Sequence, residues 1–203
     1  MPAMPQAAPD AATRARLTAA AIGLFTRKGY AATSVREIVE SAGVTKPVLY
    51  YHFRSKEGIY LETLREAMEE FRSLLDSFAP CDEPVDVQLR QLCSALHDLF
   101  LRRLDLVRLV HSILYGPPQG APFFDFHAVH EQLVDSIRRL VRIGVERGEL
   151  GGADEEGMTL AVVGAFNAVS ETEMLHPRRG CGRERLNRTL TVVLRGMKAG
   201  ERP

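Results

Sequence analysis

Residues Ser34 to Lys56 read SVREIVESAGVTKPVLYYHFRSK: two short apolar-periodic runs separated by an Ala-Gly break and followed by an aromatic and basic edge. Ser34 stands three residues before Glu37, the spacing of a capping box in which each side chain satisfies a backbone donor at a helix start. Val35, Ile38 and Val39 then share one face, with Arg36, Glu37 and Glu40 mostly on the other. Ala42-Gly43 supplies the left-handed exit that ends the run. Thr45 is placed to cap a second helix, Lys46 and Pro47 fall in its first turn where a proline removes no internal hydrogen bond, and Leu49 and Phe53 lie four apart on its inner face. That phase leaves Tyr50, Tyr51 and His52 mainly outside the core. Ser55 caps a third start, and Glu57 complements the dipole of the helix that follows.

The exposed groups share one chemistry. Helix N-terminal amides, a threonine hydroxyl, a phenol and an ammonium are all donors suited to phosphate oxygens, and such contacts set the register of a protein on a duplex. A second helix that presents Lys46, Pro47 and Tyr50 from its first turns would also reach base edges or thymine methyls in a major groove. A buried aromatic cluster with a solvated charged rim is the plainer reading of two adjacent tyrosines, but the linked helix-turn-helix pattern outweighs it.

With helix one included (AAAIGLFTRKGYAATSVREIV), the Ala42-Gly43-Val44-Thr45-Lys46 turn, Leu49-Tyr50-Tyr51-His52-Phe53 and Arg54-Ser55-Lys56-Glu57 together resemble the tetracycline-repressor-like (TetR) regulators, over roughly Thr13 to Leu64. The resemblance implies an all-α homodimeric transcriptional repressor, released from a palindromic operator in double-stranded DNA by a small ligand. It also implies DNA contacts from Ser34, Arg36, Thr45, Lys46, Tyr50, Tyr51, His52 and Lys56, to which the position of Pro47 adds that residue. Many relatives carry Gly after the turn lysine, where this chain has Pro47-Val48, so a base preference does not carry over.

Composition is consistent with this. The chain has 203 residues, 45% of them apolar, enough for one or two compact domains. Net charge is zero but uneven: residues 1–57 hold eight Lys and Arg against four acids, whereas the remainder holds 18 against 22. A basic N-terminal module on an acidic body suits phosphate attraction at one end. The start MPAMPQAAPD has neither a basic segment nor an apolar core, and no apolar run approaches the roughly 20 residues a membrane span needs. A cytoplasmic protein is therefore expected. Cys81, Cys93 and Cys181 are odd in number and far apart, which suggests neither a disulfide framework nor a zinc site; Cys93 is expected in the core.

Beyond residue 57 the pattern is helical, giving the expected order of a disordered arm (1–9), a three-helix DNA-binding domain (10–57) and a helical ligand-binding and dimerisation domain (58–203). Leu61, Leu64, Met68, Phe71, Leu75 and Phe78 trace one long amphipathic helix. Residues 104–115 form a shorter one, a Pro/Gly loop spans 116–122, and Phe126, Leu133, Ile137, Leu140 and Gly144 mark another. LAVVGAFNAV (160–169) is apolar all round and must be covered on more than one side. With Gly164 and Ala168 allowing close approach, and a stripe of Leu186, Leu190, Val193 and Met197 on the last helix, these two helices predict a two-fold four-helix dimer seam.

An effector pocket is expected in the second module, with apolar wall from Phe100, Phe123, Phe124, Phe126 and Phe166 and polar anchors from His97, His111, His127, His130 and Asn167. His127 and His130 have a spacing compatible with a metal, but no Cys or carboxylate pattern accompanies them, so no metal and no cofactor are expected beyond a small-molecule effector. The competing classes are an all-helical enzyme and a protein-interaction module that does not bind DNA. No Gly-rich phosphate loop, nucleophile elbow or His-Glu-x-x-His supports catalysis, so no catalytic residue is assigned.

Overall fold

The computed structural model describes residues 7–118, 120–151, 154–176 and 182–198. Among these residues nine helices run α1 (Ala7–Ala32), α2 (Val35–Ala42), α3 (Lys46–Phe53), α4 (Lys56–Ser77), α5 (Val85–Arg102), α6 (Leu104–Tyr115), α7 (Phe126–Glu146), α8 (Glu155–Leu175) and α9 (Gly182–Gly196). No strand forms among them, and one isolated antiparallel bridge joins Leu150 to Lys198. The helix of α1 reaches back to Ala7, inside the expected disordered arm, because Ala-rich sequence propagates readily once started. Residues 1–6 and Cys181 lie outside the described residues.

By contact the chain divides into two units, one formed by residues up to Met68 with Arg103–Phe124, the other by Glu69–Arg102 with Asp125 onward. The sequence placed everything after residue 57 in the second module. Instead α6 packs on α1, and the first three turns of α4 also belong to the first unit.

The first unit closes around Leu17, Ala21, Leu24 and Phe25 of α1, Ile38, Val39 and Ala42 of α2, Leu49 and Phe53 of α3, Ile59, Tyr60 and Leu64 of α4, and Leu106 and Leu109 of α6. Phe25 meets Tyr60 edge-on at 5.5 Å and Tyr30 meets Tyr60 at 5.0 Å, the offset geometry that ring quadrupoles favour. Gly29, at φ 79°, interrupts α1 in a conformation that costs other residues dearly, and so sends Tyr30 onto this cluster.

In the second unit α5, α7, α8 and α9 surround a core that includes Leu89, Leu92, Cys93 and Leu96, Leu133, Ile137 and Val141, Val162, Phe166 and Val169, and Leu186, Leu190 and Leu194. Cys93 is buried as expected, and burial pushes its thiol up to about 12, so no thiolate forms at neutral pH. The dimer seam expected on α9 is corrected here. Leu186, Leu190 and Met197 are buried in this chain's own core with Val193 packed against it, because the α9 stripe is used to hold α9 on α5 and α8.

Helix α8 does show two apolar faces. Val162, Val163, Ala165, Phe166 and Val169 point inward, whereas Leu160, Ala161, Gly164, Asn167, Ala168 and Leu175 are exposed.

Candidate nucleic-acid interface

The expected box at the start of α2 is complete. Glu37 N donates to Ser34 Oγ at 3.2 Å and Ser34 N donates to Glu37 Oε2 at 2.9 Å, so both orphan amides are satisfied. Lys28 also pairs with Glu37. That ammonium, followed by the Ser34 amide and hydroxyl, lowers the Glu37 carboxyl to about 2, so the box stays charged throughout the physiological range. Gly43, at φ 64° and ψ 40°, provides the left-handed exit, and Val44 N closes on Val39 O at 3.0 Å. The two helices are thus locked at a fixed turn by Ile38, Val39, Leu49 and Phe53 beneath them.

Thr45 occupies the cap position of α3, but its side chain makes no capping hydrogen bond, contrary to the expected cap. Pro47 has no amide, and the amides of Val48 and Leu49 both reach Thr45 O, so capping of this first turn does not need the hydroxyl. Thr45, Lys46 and Pro47 are exposed, as are Tyr50 and Tyr51, the latter at 77%. These five side chains form one continuous polar and aromatic edge. Arg36 is exposed on α2 and bonded to Glu40 at 2.7 Å.

Two expected members of the edge are held elsewhere. The His52 side chain is only 7% exposed and sets Nε2 3.3 Å from Asp10 Oδ1, tying α3 to α1, because its position on α3 turns it toward α1 rather than outward. Lys56 donates from Nζ to the carbonyls of Tyr30 and Thr33, each at 2.9 Å, and lies over the Tyr30 ring at 4.1 Å. It bonds the end of α1 to the start of α4.

The sequence reading missed the contribution of α1. Asp10, Thr13 and Arg16, three apart on one face, line a groove of about 940 Å³ with Val44, Thr45, Pro47, Val48, Tyr51 and His52. The signal was present as a polar run at a spacing of three that precedes buried Leu17 on α1, but it lies outside the two-helix motif.

Residues 17–63 match the family model described as bacterial regulatory proteins, tetR family. The chain is 24% identical over 151 residues to the HTH-type transcriptional regulator UidR of Escherichia coli K12, covering 72% of this chain and 74% of that one. The fold superposes on the TetR family regulator PfmR of Thermus thermophilus with a TM-score of 0.72 at 26% identity, covering 92% and 98% of the two chains. It also superposes on FadR of Bacillus subtilis, solved in complex with stearoyl-CoA, with a TM-score of 0.68 at 16% identity, covering 90% and 98%.

Residues 17–63 thus carry the tetR-family domain. The chain is an all-α transcriptional regulator whose first unit carries that domain's helix-turn-helix on α2 and α3. Among the described residues no helix is long and apolar enough to cross a membrane.

The residues expected to form an effector pocket fall in both units. His111, Phe123 and Phe124 belong to the first unit; the His111 ring lies 4.6 Å from that of Tyr115, tilted by 44°, and Phe123 is 87% exposed. In the second unit His97 is fully buried and parallel to Phe100 at 6.3 Å, and Phe166 is in the core. Phe126 is half-buried, His127 and His130 are exposed on α7, and Asn167 is exposed on the outer face of α8.

Proposed function

We propose that this regulator is a repressor that binds a palindromic operator in duplex DNA as a homodimer, in the cytoplasm, and is released by a small apolar or aromatic effector. The observation that carries the reading is the exposed set of Thr45, Lys46, Pro47, Tyr50 and Tyr51 at α3, a helix held by its two buried anchors Leu49 and Phe53 and preceded by an α2 with a complete capping box. Lys46, Tyr50, Tyr51 and Thr45 supply phosphate donors, and the Pro47 ring is an apolar surface suited to a thymine methyl. Ser34 and Arg36 add donors from α2. His52 and Lys56 act by holding α3 and α4 in place.

The dimer surface that suits these faces is the outer side of α8 and α9: Leu160, Ala161, Gly164, Ala168, Leu175 and Val192 are exposed, and the small residues permit close helix approach. Two copies related by a two-fold axis would present two recognition helices to half-sites about one helical turn or a multiple apart, roughly 34–36 Å.

The effector reading rests on His97 and Phe166 as buried groups of the second unit, with half-buried Phe100 on α5 and Phe126 at the start of α7. The complex of FadR with stearoyl-CoA supports an acyl or similarly apolar molecule. An effector shifts a regulator only by its differential affinity for the DNA-competent and incompetent shapes, typically about 1–3 kcal/mol. Operator DNA must then weaken effector binding by the same factor. Calorimetric titration of long-chain acyl-CoA with and without bound operator tests this: a weaker affinity on DNA supports release, and equal affinities exclude control by that class of effector.

A further inference from the structure

The groove between α1 and the recognition helix contains a cation that the two-helix motif does not supply. Arg16 is exposed, and among the described residues it takes part in no ion pair or hydrogen bond. Its neighbour on the helix behaves differently: Arg14 bonds Glu62 at 3.0 Å, pairs with Glu66, and lies over the Phe53 ring at 4.8 Å. Arg14 is thus part of the scaffold, and Arg16 is not.

The wall that faces Arg16 carries Thr45, whose hydroxyl is not used for capping, and Tyr51, whose ring is largely exposed. Asp10 also lines the groove; its carboxylate faces His52 and would repel an anion placed deep beside it. The donors and the acid therefore lie in one recess, with the favourable groups on the recognition helix and on the α1 position farther along the chain from Asp10.

We infer that Arg16 is a further DNA-anchoring residue, which grips a backbone phosphate of the duplex strand running past the N-terminal turn of α3. This rests on the proposed docking of α3 in a major groove. The phosphate is held from two helices, by the Arg16 guanidinium on one side and by Thr45 and Tyr51 on the other. A planar guanidinium forms paired hydrogen bonds to phosphate that an ammonium forms less well, yet either supplies the charge. No sequence information passes through such a contact.

The test uses full-length protein and a duplex recovered by repeated selection from a randomised pool, with affinity measured across a salt series. Each phosphate neutralised contributes a slope of about −0.9 in log affinity against log salt. Arg16→Ala should lower affinity roughly tenfold near physiological salt and flatten the slope by about 0.9 for each protomer engaged. It should do so equally on the selected duplex and on single-base variants of it, and Arg16→Lys should restore most of the slope. Lys46→Ala serves as the reference for docking through α3. If Lys46→Ala weakens binding while Arg16→Ala keeps the wild-type affinity and slope, the Arg16 contact is wrong and the α3 docking stands. A loss in Arg16→Ala with an unchanged slope and no rescue by Lys also overturns the contact, since it marks a folding effect. If the wild-type protein shows no salt-dependent duplex binding, both readings fall together.

Discussion

Gly58 lies one helical turn beyond Ser55 and donates its amide to the Ser55 hydroxyl at 2.8 Å, and a Cβ built there would overlap the carbonyl oxygen of Phe53. Backbone cannot yield as a flexible side chain does. Gly58→Ala should therefore destabilise the first unit by about 1–3 kcal/mol, the usual cost of overpacking, seen as a lower denaturant midpoint together with weaker DNA binding. A second residue-scale prediction concerns pH. His97 is fully buried, and among the described residues neither ring nitrogen has a hydrogen-bond partner; it lies beneath Gly182, whose added Cβ would come within 2.6 Å of Nε2. Burial lowers its pKa, against the opposing pull of Glu173 and Asp98, while Arg183 lowers it further. The folded chain keeps this imidazole neutral whereas the unfolded chain takes up a proton below about 6.5, so its contribution is present above that value and lost as pH falls through the folded pKa. Urea midpoints should fall between pH 7.5 and 5.5, and less so in His97→Gln. An equal fall in both proteins would assign the effect to other groups.

At the scale of helices, α8 and α9 separate what holds one chain together from what faces outward. Leu190 is fully buried and Val192 is 74% exposed, two residues apart on α9. Leu190→Ala should lower protomer stability by about 2–5 kcal/mol, the range for truncating a core leucine. Val192→Glu should leave the unfolding midpoint of the isolated protomer nearly unchanged yet shift sedimentation from dimer toward monomer. Dimers that persist in Val192→Glu would place the interface elsewhere. This pair also shows where sequence stops being informative. The Ser34–Glu37 box and the Gly43 exit were legible because they join residues three to five apart, and their chemistry is local. Helix α8 was not, since a segment apolar all round has no polar face to reveal which side turns inward. The α9 stripe was legible as a stripe, but periodicity cannot tell an intrachain core from an interface. Nor could it show α6 packing on α1, a match between residues some ninety positions apart whose partners are fixed only in the folded chain. His52 and Lys56 illustrate the same limit at the interface: their types suit phosphate, and only the geometry shows them bonded to Asp10 and to the ends of α1.

Over the whole molecule, charge and connectivity point the same way. The first 57 residues carry a surplus of four positive charges, and the exposed edge of α3 lies within them. Net neutrality of the full chain therefore does not oppose attraction to DNA, because screening confines the field to about 8–10 Å at ordinary salt and the duplex meets only the near face. Helix α4 belongs to both units, its first turns packed with α1 in the first and its later turns, with Leu75, in the core of the second. The central claim is that α3 docks on DNA with Thr45, Lys46, Pro47, Tyr50 and Tyr51 outward, and duplex affinity across a salt series, for wild type, Lys46→Ala and Tyr50→Ala, tests it most directly. The account predicts a steep salt dependence in the wild type, a shallower one in Lys46→Ala, and roughly tenfold or greater weakening in both variants with unchanged thermal unfolding. Wild-type affinity in both folded variants at physiological salt would contradict it.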